Sequence, residues 1–215
     1  QNLAKYDETA QGAVDNQISF KTPVKDQIKK LEDLGYSLVS DNFDNGNKYY
    51  NDDNTKNQFV VYVNHKLGIT PENVSVKRTI NYHGILPNGK IVAVNGSPQG
   101  HSTDTQTTNF TRNAVVDEVI KQTVGYDTNE DLTTPTVTIQ DGDRAWVPLH
   151  QSLSQVDSQT PDKVKAPDGN TFTSVNISIV PQLTIFPNSK NTTVLVTYKR
   201  EIGKTNLLIV DEDND

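Results

Sequence analysis

The sequence predicts an α+β chain, mainly β, that is elongated and divided into two domains. Three observations carry this. A single stretch among the 215 residues repeats apolar side chains clearly at helical spacing, whereas several alternate them at the period of a strand. Composition is lean for one large core: 33% of residues are hydrophobic, 7% are aromatic, and the mean hydropathy is −0.63. Asn, Thr, Asp and Gln crowd the intervening loops, as suits a sheet-rich module with much surface.

The elements follow in order. Leu3–Tyr6 and Gln17–Phe20 are short strand candidates joined by a polar loop containing Gly12. A helix comes next, with Thr22 as its cap, Pro23 in the first helical position and Gly35 as its stop. Its apolar stripe is Val24, Ile28, Leu31 and Leu34, while Lys25, Asp26, Lys29, Lys30 and Glu32 face water. Strands are expected at Tyr36–Val39 and Gln58–Asn64, the latter rich in β-formers from Phe59 to Val63. The resulting order, ββαββ, is that of a ubiquitin-like β-grasp domain over residues 1–66, with one helix laid across a four-stranded sheet.

Residues 67–73, with Gly68 and Pro71, are expected as a linker. A larger, mainly β domain spans 74–200. Val74, Val76, Ile80 and Tyr82 alternate around Arg78 as in a half-buried strand. Lys90–Val94 follows a Pro87-Asn88-Gly89 turn. In Arg112–Gln122, Val115, Val116, Val119 and Ile120 fit a helix face, yet β-branched residues dominate and favour strand running into a turn; Thr134–Gln140, Asn176–Val180, Leu183–Phe186 and Thr193–Lys199 read as further strands.

Residues 201–215 restart the chain. Asn2-Leu3 and Asp7-Glu8 recur as Asn206-Leu207 and Asp211-Glu212, each at an offset of 204 residues. A short apolar stretch runs into an acidic turn in both copies. This is the expected signature of one unit of a tandem array, followed by the start of the next. The absence of Met fits a fragment of a longer protein.

The absence of Cys excludes disulfides and thiolate zinc sites and fits proteins exported by Gram-positive bacteria. The formal charge of −7 repels a phosphate backbone, and no basic stripe interleaved with aromatics offsets it, so nucleic acid is not expected as a partner. No run approaches the ~20 apolar residues of a membrane span. Catalysis finds little footing. His65, His83 and His101 are spaced evenly by 18, but Pro71, Pro87 and Pro98 break any helix that would align them. Asp141 and Asp143 flank Gly142 and read as a turn rather than a glycosidase pair.

Several runs together resemble a known family. Gly35 to Phe43 (GYSLVSDNF), Asn51 to Asn54 (NDDN) and Gln58 to His65 (QFVVYVNH) are similar to the first domain of lactobacillal mucus-binding (Mub) repeats. Val76 to Tyr82 and Asn109 to Arg112 resemble opening signatures of that repeat's second domain, and Trp146 falls where the family has its tryptophan segment. The resemblance covers essentially the whole chain. It implies a non-catalytic repeat of an extracellular, cell-wall-anchored adhesin that binds host mucin glycans, with adjacent repeats and, in some members, immunoglobulins as further partners; the rival readings are an immunoglobulin-binding module and a structural stalk repeat that only spaces other binding units from the wall.

Within that expectation, Tyr49 and Tyr50 are candidates for a glycan shelf, since sugars lie on aromatic faces while neighbouring Asn and Asp fix hydroxyls. The competing reading packs one of them back under its loop. Trp146 is a third glycan candidate, with burial in the core as the more usual fate of a lone Trp. Immunoglobulin capture points to an exposed sheet edge and to the helix face of Lys25, Lys29 and Glu32. No cofactor is required. Asp41, Asp44, Asp52 and Asp53 bracket a long polar loop and form a candidate calcium site, against the alternative of a solvated turn rich in Asx caps.

Overall fold

Helix α1 (Val24–Asp33) forms on the predicted stripe and buries Ile28 and Leu31. Leu34 lies past its end, 49% exposed. The computed structural model describes residues 3–44, 47–127 and 142–210. The start of α1 differs from expectation. Pro23 is the cap residue rather than the first helical residue, and its carbonyl accepts the amides of Asp26 and Gln27 at 2.9 and 3.0 Å. The Glu8 carboxylate accepts the Thr22 amide at 3.1 Å and Gln27 Nε2 at 3.0 Å. A carboxylate beside the positive end of a helix is favourable, and here it arrives from a distant segment that local pattern does not reveal. Gly35 ends the helix at φ +96°, a conformation that costs glycine nothing.

The chain divides into two compact units: residues 1–72 with 112–145, and residues 73–111 with 146–215. In the first, β1 (Tyr36–Asp41) pairs antiparallel with β2 (Val61–His65), Leu38 opposite Val63, with a bulge between Leu38 and Ser40. Phe43 is buried between Phe20 and Phe59, edge-on to both at 5.3 and 5.0 Å between ring centres.

The expected four-stranded sheet is not assembled among the described residues of this unit. Ala4–Tyr6 is a turn of 3-10 helix rather than a strand, consistent with the weak β preference of Ala4 and Lys5. Gln17–Phe20 contributes one isolated bridge, Gln17 to Tyr49, and the Ile18 amide on the Lys48 carbonyl.

Strand β3 (Leu67–Ile85) runs for 19 residues, so the expected linker at 67–73 is strand. Gly68 and Pro71 punctuate the sequence without interrupting it. Strand β4 (Ile91–Ala93) pairs back on the end of β3, as the Pro87-Asn88-Gly89 turn predicts. Strand β5 (Thr103–Asp117) then runs to a turn and returns as β6 (Gln122–Asp127), which bears out strand-into-turn for Arg112–Gln122. Both β3 and β5 contribute residues to both units.

In the second unit, the short strands β7 (Gln151–Leu153), β8 (Val156–Asp157), β9 (Ser174–Val175), β10 (Ile179–Val180) and β11 (Leu183–Ile185) precede β12 (Thr192–Lys199). Strand β12 lies parallel to β3, with Val196 opposite Tyr82. Alternation along β3 buries Val76, Arg78, Ile80, Tyr82 and Gly84, the period that half-buried strands show. Tyr82, Val196, Tyr198 and Phe172 form the main core here, and Val76, Phe110, Trp146, Leu153 and Ile185 form a second cluster. Asn176–Val180 is extended only in part, at Ile179–Val180. Thr134–Gln140, Asp141, Asn2 and Asp211–Asp215 lie outside the described residues.

Candidate functional site

The loop after β1 is built from Asx turns. Asp41 Oδ1 accepts the Phe43 amide at 2.8 Å, and Asp53 Oδ1 accepts the Thr55 amide and hydroxyl at 3.0 and 2.7 Å. Those bonds from Thr55 hold the Asp53 carboxyl below its usual range. Asp41, Asp44, Asp52 and Asp53 do not converge, and among the described residues no group of three or more His, Asp or Glu is placed to share a metal ion. At Asp41 and Asp53 the loop shows the Asx-capped turn that the sequence sets beside a calcium site.

Within the same loop the two tyrosines part company. Tyr49 is 54% exposed and forms the bridge to Gln17, whose Nε2 donates to Asn47 Oδ1 at 3.2 Å. An aromatic ring and a pair of side-chain amides thus share one exposed turn. Tyr50 is half-buried, its ring lying so close to Gly12 that a Cβ there would collide with Tyr50 Cε2. The Asn57 side chain braces this turn, its Oδ1 accepting the Asn51 amide and its Nδ2 donating to the Asn51 carbonyl, both at 2.8 Å.

Trp146 is 8% exposed, packed with Val76, Phe110, Leu153 and Ile185. This is the core burial that the sequence sets against a glycan role, the more usual fate of a lone Trp in a lean chain. Lys25, Lys29 and Glu32 lie exposed on α1, Lys29 paired with Asp33 at 3.7 Å.

Sequence reasoning missed two features. A cleft of about 910 Å³ in the first unit lies between α1 and β2, lined by apolar residues of both together with Tyr6, Tyr36 and Tyr62. At its rim, His65 Nδ1 meets Asp117 Oδ2 at 2.6 Å and the imidazole stands edge-on to Tyr36. In the second unit, Phe186 is 49% exposed and stacks obliquely with His150 at 6.0 Å. Neither has a sequence signal, since both arise where distant segments meet.

Residues 69–202 match the family model of the Muc B2-like domain. The chain belongs to that family. Residues 1–65 match the model of a mucin binding domain, so two Muc-type domains follow one another in the order the Mub resemblance implies. The crystal structure of Mub-RV has a similar fold, with 21% identity, a TM-score of 0.54, and coverage of 89% of this chain and 88% of that one. The type 2 repeat of the mucus binding protein MUB from Lactobacillus reuteri is 21% identical over 89% of each chain, at a TM-score of 0.47. The mucin-binding domain of Spr1345 from Streptococcus pneumoniae is 15% identical over 62% of this chain and 97% of its own, at 0.41. No curated protein matches the chain. No helix among the described residues is long and apolar enough to cross a membrane.

Proposed function

We propose that this Muc B2-like chain is a non-catalytic repeat of an extracellular, cell-wall-attached bacterial adhesin that binds host mucin glycans. The observation that carries the reading is the succession of a mucin binding domain match and a Muc B2-like match along one chain. The glycan shelf is Tyr49, whose exposed ring takes the C–H face of a sugar while Gln17 and Asn47 reach its hydroxyls. One such contact is weak, and copies in tandem supply avidity through effective concentration. In this reading residues 1–66 are a β-grasp module, 74–200 a mucus-binding module, and 201–215 the start of a further copy. The compact units are drawn differently, since β3 and β5 contribute to both.

Retention on immobilised mucin, with and without enzymatic deglycosylation and beside purified immunoglobulin, tests this. Binding that disappears on deglycosylation is the expected result. Capture of immunoglobulin alone would transfer the function to the α1 face of Lys25, Lys29 and Glu32. Silence on both surfaces would make the unit a spacer.

A further inference from the structure

The cleft beside β2 follows an open backbone edge. Seven consecutive residues, Phe59 to His65, line it. Side chains of a strand alternate between faces, so an unbroken run lines a space only where that space follows the edge. Among the described residues β2 pairs with β1 alone, which leaves its other row of amides and carbonyls without a strand partner. Both faces of this edge are apolar: Val61 and Val63 are half-buried, while Val60 and Tyr62 are 44% and 60% exposed.

Elsewhere in the chain an apolar strand-former has no seat. Residues 201–210 adopt no helix or strand, and Leu207, Leu208, Ile209 and Val210 are 87%, 83%, 83% and 67% exposed. Four successive aliphatic side chains, two of them the β-branched Ile209 and Val210, are a poor surface and a good edge partner. The segment also carries a signature of the residues already at the cleft. Leu207 echoes Leu3 at the same offset as the acidic pair, and Leu3, Asp7 and Glu8 line the cleft. Residues 4–6 do not fill the seat, since they form a 3-10 turn with none of its side chains buried.

We propose that residues 206–210 of one copy add as a strand to the open edge of β2 in a second copy of this chain. Five residues meet the five of β2. Leu207 and Ile209 then point to one side and Leu208 and Val210 to the other, which suits an edge that is apolar on both faces. Donor and acceptor surfaces differ, so the contact is head-to-tail and propagates as an open chain rather than closing a dimer. It does not depend on glycan binding.

Sedimentation of the full chain across a concentration series reads the association. The wild-type mass is expected to rise with concentration. The Leu208→Pro chain, altered at a residue already in water, is expected to keep its melting temperature and to associate at least tenfold more weakly. A wild-type chain that stays monomeric, or a variant that associates equally well, overturns the proposal. A peptide of residues 202–210, titrated into the isotope-labelled full-length Leu208→Pro chain, locates the seat. Amide shifts concentrated on Phe59–His65 support it, whereas no shift at millimolar peptide, or shifts confined to another surface, overturn it.

Discussion

His65 and Asp117 stand 52 residues apart in sequence, and their side chains meet at 2.6 Å. The contact ties the end of β2 to the end of β5 inside one compact unit, although the two residues fall in different family matches. Burial works against the Asp117 carboxylate, but the hydrogen bond from His65 and the amides of Ile120 and Val119 outweigh it and hold its pKa below the ordinary value. A carboxyl lowered on folding adds stability above its unfolded pKa of about 3.9, and that stability is lost as pH falls through the folded value. Thermal melts of the wild type and Asp117→Asn should therefore differ most above about pH 4 and converge toward pH 2.

Arg78 is a buried cation held by neutral acceptors. It donates to Gln106 Oε1 from Nε at 2.8 Å and from Nη2 at 2.6 Å, and to the carbonyls of Pro181 and Ser154, each at 2.7 Å. Truncation to Ala strands those oxygens, so Arg78→Ala should cost about 3 kcal/mol or more in urea unfolding. Arg78→Lys should recover little, since an ammonium cannot reproduce the planar fork.

Tyr49 and Trp146 should separate binding from folding. Tyr49→Ala, at a 54% exposed ring, should leave stability within about 0.5 kcal/mol and lower mucin retention about fivefold. Trp146→Ala should instead cost about 3–5 kcal/mol of stability, and Trp146→Phe, which keeps most of the packing, should retain mucin like the wild type. Paired melts and retention assays on the three variants check this.

Calcium should leave the loop after β1 unmoved. Asp41 and Asp53 are engaged by the amides of Phe43 and Thr55, so melting temperatures in millimolar calcium and in chelator should agree. A rise of several degrees with calcium would support the metal reading.

What was legible in the sequence was whatever short range decides. The stripe Val24, Ile28, Leu31 and the Gly35 stop gave away α1, and alternation from Val74 to Tyr82 marked β3, because period and turn chemistry act over a few residues. Glu8 at the start of α1 was not legible, because its partner Thr22 lies fourteen residues on and a Glu has no positional signature there. At the candidate site, the sequence named both tyrosines but not their fates. Only the close approach of Tyr50 to Gly12 separates the packed ring from the exposed one.

By itself the sequence determined that this is a Muc-type, mainly β chain with one principal helix and a repeated leading segment. It did so through local periodicity and through motifs that keep their order. The tertiary structure alone decided that β3 runs through the expected linker, that β12 lies parallel to β3, that Trp146 is core, and that among the described residues β2 pairs with β1 alone. Strand partnership is a long-range choice, settled by which surfaces bury one another rather than by the residues along either strand.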